Sequence, residues 1–274
     1  FFMNIFKNIF DFYIKSSLHV ALSVFALVHM TGFLFHIIEI GNCANFAFFG
    51  TIVGYNFVKY DALARTQKVN MSLNLKAIAF LSLLSFLGTA YFFFKLEMIT
   101  KVLGTLFLIL TLLYTLPFFP NKQNARNWVG VKIYIVTFCW VGVTLALPII
   151  NAGLPINLYV VLVAIQRFVL IFVLVLIFEI IDLQHDDPHL QTVPQQIGVR
   201  KTKIVGSLLL LIFILVEFFE PHFNWNFFLL KLGIASTTLL FLLFSNDKKS
   251  KYYTSFWAES IPIFWYVLLL IYNK

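Results

Sequence analysis

The sequence predicts an all-α integral membrane protein with about nine transmembrane helices around a central cavity. Three observations predict it. Mean hydropathy is +0.90, with 61% hydrophobic and only 12% charged residues, which excludes an ordinary soluble domain. Apolar runs recur at the length a bilayer needs, roughly 20 residues each. Lysine and arginine gather on every second loop between those runs, the positive-inside pattern.

The runs lie near 17–38, 41–60, 75–94, 99–119, 131–149, 155–181, 202–220, 223–244 and 253–271. Lys7 and Lys15 precede the first, and Lys59, Arg65, Lys68 and Lys76 follow the second. Lys122, Arg126 and Lys132 separate the fourth and fifth. Arg200, Lys201 and Lys203 follow the sixth, and Lys248, Lys249 and Lys251 the eighth. The other loops hold chiefly Lys95, Lys101 and Lys231, and those near 40–44 and 150–155 are short. This places the N-terminus in the cytoplasm and, after an odd number of spans, the C-terminus on the exported side, as in a bacterial inner membrane protein. The net charge of +8 is then topological, with attraction to anionic lipid as a secondary effect, and not a nucleic-acid footprint. The first run lacks a small-residue cleavage site, so it is expected to be a span and not a signal peptide.

The chain is expected to form one polytopic domain over 1–274. The long polar loops after spans two and six suggest related halves, 17–119 and 131–244, followed by a last helix at 253–271. The 34 Phe are expected to be lipid-facing bulk. Cys43 and Cys139 have no ligand or disulfide spacing and fit small core positions. His29 and His36, seven apart in span one, are expected to be hydrogen-bonded core histidines and not haem ligands. Arg167, beside Gln166 in span six, is expected to face the bundle interior or a wet cavity, with a structural partner or a substrate contact, because an intramembrane guanidinium is costly. Glu217, Glu220, His222 and Lys231 suggest a solvated rim or a partner contact.

The most informative stretch closes span six: Phe178-Glu-Ile-Ile-Asp-Leu-Gln-His-Asp-Asp187, running on to Thr192-Val-Pro-Gln-Gln-Ile-Gly198. Spacings of three and four put Glu179, Asp182 and Asp186 on one helical face. Acids at a helix C-terminus oppose the macrodipole, so a cation or polar substrate is the expected reason for them. Mg²⁺ is commonly held by one or two carboxylates together with substrate phosphates.

This stretch resembles the second signature of UbiA-type intramembrane prenyltransferases, roughly D-I-K-D-x-E-G-D followed by T-L-P-x-x-x-G. Glu179, Asp182 and Asp186 take its acidic positions, and Thr192, Pro194 and Gly198 its tail. Gln184 and His185 stand where the usual Glu and Gly precede the last Asp. The resemblance covers nearly the whole chain; nine spans match that fold, and Arg126–Trp140 is similar to the family's basic, Trp-containing approach to span five. The family's first signature, N-D-x-x-D-x-x-x-D and then R-x-N-K-P-x-R, begins here at Asn56. Asn56, Arg65 and Lys68 match it, but Phe57, Tyr60 and Ala64 stand at the three Asp positions, and Val69 and Met71 at the later Pro and Arg. Asp61 is one residue from an acidic position, about 100° around the helix.

The resemblance implies Mg²⁺-dependent transfer of a prenyl group from its diphosphate to an apolar or aromatic acceptor. Metals held by both acidic clusters would stabilise the departing diphosphate. Asp182, Asp186 and Glu179 would hold the metal, Asn56 would line the site, and Arg65, Lys68 and Lys201 would contact phosphate. Loss of the first cluster supports a different role: a catalytically degenerate homologue serving other membrane-protein subunits as a scaffold. In that case the second cluster would tie down the loop 187–199. A transporter or channel is the weaker third reading, since mid-membrane charge is scarce apart from Arg167.

Overall fold

The computed structural model describes residues 2–66, 72–116, 128, 130–221 and 223–272. All regular structure among them is helical. The helices are α1 (Phe2–Lys15), α2 (Leu18–Leu34), α3 (Gly41–Thr66), α4 (Leu73–Phe94), α5 (Met98–Thr115), α6 (Lys132–Val141), α7 (Leu147–Asn151), α8 (Leu158–Ile181), α9 (Val193–Leu215), α10 (Trp225–Phe244) and α11 (Ile261–Tyr272). A π-helical turn, Gly142–Ala146, joins α6 to α7, and a second, Tyr253–Ala258, leads into α11.

Among the described residues, seven helical segments are long and apolar enough to cross a membrane. The bent pair α1–α2, turning through 58° between Lys15 and Leu18, makes eight if it forms one span. Helix α3 has the length, 26 residues, but Asn42, Asn45, Asn56, Lys59 and Asp61 keep it less apolar than the rest. The sequence reading did not foresee α1. Its run is too short and too mixed for a span, with Lys7, Asp11 and Lys15 among the aromatics, yet that alternation suits a helix with one apolar face.

Helix boundaries follow ordinary capping chemistry. Asn157 Oδ1 accepts from the Val160 amide at 3.0 Å to start α8, and Asn224 Oδ1 accepts from the Asn226 amide at 2.8 Å to start α10. Within the spans, Ser and Thr hydroxyls donate to the carbonyl four residues back, as at Thr89, Thr111, Thr137 and Thr238. That leaves few orphan donors in an apolar medium.

Lipid is as apolar as leucine, so helix association here rests on close packing and interhelical hydrogen bonds. The largest core unites α2, α8, α9, α10 and α11 around Leu27, Met30, Leu170, Val173, Phe213 and Ile234. A second joins α2, α3 and α7 through Val28, Ala44, Ala47 and Leu147. Gly142 lets α5 come close, since a methyl there would run into the Phe107 ring. Helix α8 is the enclosed centre, with 67% of its apolar window buried, whereas α4 has 11%. The exposed Phe80, Leu83, Phe86 and Leu87 of α4 fit the expected lipid-facing role of the Phe-rich runs.

The basic loops lie together at one end of the bundle. Tyr252 donates to Asp11, Tyr60 donates to the Lys15 carbonyl at 2.9 Å, Gln184 donates to Asp247 at 2.7 Å, and Lys132 bonds Asp186. This is called the basic end below.

Candidate functional site

The acidic face forms where α8 ends. Glu179 lies in the last turn, Asp182 caps the helix, and Asp186 follows one turn later, its amide donating to the Asp182 carbonyl at 2.9 Å. Glu179 is 2% exposed and is engaged: its Oε2 accepts from the Val193 amide, the first residue of α9, at 3.1 Å. Asp186 is engaged as well, because Lys132 Nζ at the start of α6 sits 3.3 Å from its Oδ2. Those two side chains are 19% and 12% exposed, so the pair is largely withdrawn from water.

Asp182 differs from both. Its carboxylate makes no hydrogen bond among the described residues. Partial burial raises its pKa above the usual aspartate range, and the Asp186 charge adds to the rise; Lys132, Lys251 and His185 oppose it. The ammonium of Lys132 therefore acts on all three acids: it bonds one and counters the charge of the other two. Among the described residues, no three His, Cys, Asp or Glu side chains converge at metal-ligand spacing.

The loop that follows is tied to this cluster. At the start of α9 the Thr192 amide donates to Gln195 Oε1 at 2.9 Å, one half of a capping box, while Thr192 Oγ1 is buried without a partner among the described residues. Gln195 Nε2 also reaches the Asp186 and Asp187 carbonyls at 3.4 and 3.3 Å, and Gln196 reaches the Gln191 carbonyl at 2.6 Å. Gly198 adopts φ +79, a left-handed conformation that favours glycine, and there the chain kinks into the rest of α9.

The other residues singled out from sequence are scattered. Asn56 is 3% exposed and fully engaged: Ser17 Oγ donates to its Oδ1 at 2.8 Å, and its Nδ2 donates to Ser82 Oγ at 2.9 Å. It thus joins α3 to α4 and to the α1–α2 turn. Lys201 is exposed on α9. The side chains of Asp61 and Arg65, all of Lys68, and Arg126 lie outside the described residues.

Of three further groups read from sequence, two differ from what their spacing suggested and one agrees. Glu217 and Lys231, expected at a solvated rim or a partner contact, are 0% and 4% exposed, which rules out the solvated rim for these two. Lys231 Nζ bonds Glu217, Glu220 Oε1 at 2.7 Å and Gln166 Oε1 at 3.0 Å, and Gln166 Nε2 donates to Glu217 Oε2 at 2.9 Å. His222 lies outside the described residues. Arg167, 1% exposed, has the interior partners expected of it: it donates to Thr31 Oγ1 at 2.6 Å and to the Thr144 carbonyl at 2.7 Å. The histidine expectation fails, because His36 is exposed with φ 52 and His29 packs on the Phe25 ring at 4.4 Å. The hydrogen-bonded buried histidine is His19, held by Tyr13 at 2.7 Å and by the Phe256 carbonyl at 2.9 Å.

Sequence reasoning also passed over Glu259, which follows the π-helical turn before α11. Its amide donates to the Thr254 carbonyl at 3.0 Å and its carbonyl accepts from Ser23 Oγ of α2. A lone Glu after Trp-Ala carries no motif; its only signal is a carboxylate inside an apolar run. No family model matches the chain, and no curated protein or solved structure matches it.

Proposed function

We propose that this chain is a UbiA-like membrane protein whose diphosphate-activating centre has become structural, and that it serves as a non-catalytic subunit or scaffold of a membrane complex. In this reading α3 is the ninth crossing, beside the seven apolar segments and α2. The basic end faces the cytoplasm, as the distribution of Lys and Arg favours.

One observation carries the reading: Lys132 Nζ lies against Asp186 and balances the acidic face from within. Glu179 supports it, since its carboxylate is spent on the first amide of α9. A divalent cation would meet an ammonium already in place and one carboxylate already bonded. The acids thus fit Mg²⁺ poorly, and no step is routed through a metal. The cluster's work is to hold the 182–198 segment, with Lys132 pinning α6 to the end of α8.

The competing reading, Mg²⁺-dependent prenyl transfer, draws on Asp182, whose carboxylate is free of hydrogen bonds among the described residues. Purified protein incubated with labelled prenyl diphosphates of several lengths, with and without Mg²⁺, separates the two. The scaffold reading expects no diphosphate release at any length and other membrane proteins co-purifying. Mg²⁺-dependent release that an Asp182→Asn/Asp186→Asn variant loses would overturn it.

A further inference from the structure

The end of the bundle away from the acidic face holds a buried polar group that the proposed function does not use. There α9 tightens into a 3₁₀ turn, Val216–Phe219, before the chain returns as α10. In a 3₁₀ turn the side chains at i and i+3 stand one above the other. Glu217 and Glu220 have that spacing, and the Glu220 amide donates to the Glu217 carbonyl at 3.1 Å. Their carboxylates meet on one nitrogen: Lys231 Nζ of α10 bonds Glu217 Oε2 and, at 2.7 Å, Glu220 Oε1.

Every donor of Lys231 and Gln166 is committed. Lys231 has three N–H protons and three acceptors, the third being Gln166 Oε1 at 3.0 Å. Gln166 Nε2 has two, given to the Phe213 carbonyl at 3.2 Å and to Glu217 Oε2 at 2.9 Å. Two of these donors fall on the same Glu217 oxygen. The other, Glu217 Oε1, is fully buried and has no hydrogen-bond partner among the described residues. Buried polar atoms are ordinarily paired.

Charge falls short in the same place, because two carboxylates share one ammonium. Arg167, next to Gln166, turns elsewhere: its guanidinium donates to Thr31 and Thr144, and it forms no ion pair among the described residues. Tyr159, in the first turn of α8, lies within electrostatic reach of both acids but carries no positive charge. Met30 of α2 and Trp265 and Leu269 of α11 bring only uncharged groups to the shared core. His222 lies outside the described residues. One donor and one positive charge are wanted together, and a proton supplies both.

We infer that Glu217 and Glu220 form a proton-binding site: one proton taken from water rests on Glu220 and is donated to Glu217 Oε1, leaving one carboxylate paired with one ammonium. Two carboxylates sharing a buried site do not both stay ionised, and an uncompensated buried acid neutralises. A metal cation would bring charge, but it would meet the Lys231 ammonium already seated on both carboxylates. Unfolded glutamates release their proton near pH 4.3. The stabilisation from the bound proton is therefore complete below that value and is lost as pH rises through the higher folded value. The junction of α8, α9 and α10 should loosen as the proton leaves.

The test is infrared spectroscopy of the purified protein in detergent, following the C=O stretch of protonated carboxyl groups through a pH titration, with and without sodium. Wild type is expected to show, at neutral pH, one protonated carboxyl per chain that Glu220→Gln and Glu217→Gln lack. The wild-type melting temperature should fall over the pH interval in which that band disappears. It should fall less in Glu220→Gln, whose amide offers Glu217 Oε1 the same donor without a charge. Should both Gln variants fold poorly, Glu220→Asp, which keeps an acid, should shift the band, and an unshifted band would count against the site. A wild-type protein without a protonated carboxyl at neutral pH, a band that survives both Gln variants, or stability that follows sodium and not pH would overturn the inference.

Discussion

The two ends of the bundle contain the same ingredients, acids gathered around one lysine, and use them differently. Away from the acidic face, Lys231 is shared by Glu217, Glu220 and Gln166, with side-chain exposures of 5%, 1% and 7% for the three charged groups. At the basic end Lys132 bonds only Asp186, both are more exposed, and Asp182 is left without a hydrogen bond. Burial explains the contrast. A charge taken wholly out of water must be compensated on the spot, and a network that does so is committed to holding helices together. Partial exposure tolerates an incomplete set, which is why Asp182 can stand free with its pKa raised.

The largest effect expected from this contrast is at Lys231. Lys231→Met strands two buried carboxylates, and stability should fall by about 3–5 kcal/mol, seen as a lower melting temperature or loss of folded protein. A Lys231→Met/Glu217→Gln double variant should recover part of that loss. Equal stability of Lys231→Met and wild type would erase the distinction between the ends. Next comes Glu179→Gln, which replaces a charged acceptor at the start of α9 by a neutral one; a loss of about 1 kcal/mol is expected, with faster amide exchange at Val193.

A pH series sharpens the comparison at Asp182. Its folded pKa is raised, so its contribution is fully present below the ordinary aspartate value of about 4 and is lost as pH climbs through the raised value. Melting temperature should decline over that interval in wild type and decline less in Asp182→Asn. Identical profiles would remove the claim that Asp182 is under-compensated. The smallest effect is at the surface: Lys15, 63% exposed and 3.7 Å from Asp11, should tolerate Lys15→Ala within about 0.5 kcal/mol.

Much of the architecture was legible because apolar run length is a direct reading of bilayer thickness. Span six, placed at 155–181, is α8 at Leu158–Ile181, and span eight, at 223–244, is α10 at Trp225–Phe244. Helix α1 and both π-turns were not legible: the first is too short for a span, and the turns leave composition unchanged. Helical spacing puts Glu179, Asp182 and Asp186 on one face, but α8 ends at Ile181 and Asp186 lies in the turn beyond it; the tie to the 187–199 segment is one of the alternatives the sequence offers. The partner of that face was not legible, because spacing along one helix does not say which other helix lies opposite. From sequence, Lys132 reads as a topological charge within the basic approach to span five, and Lys231 as part of a solvated rim or a partner contact; each gains its meaning from a contact made across the bundle.

The central claim, that Lys132 holds the position a metal would need, is tested most directly by Mn²⁺ binding followed by electron paramagnetic resonance. The protein is titrated with Mn²⁺ in the presence of a prenyl diphosphate, as wild type and as Lys132→Met. The account predicts no stoichiometric Mn²⁺ in wild type and a gain of bound Mn²⁺ in Lys132→Met that a further Asp182→Asn change removes. Stoichiometric Mn²⁺ on the wild-type protein, lost in Asp182→Asn, would contradict it and return the acidic face to metal chemistry.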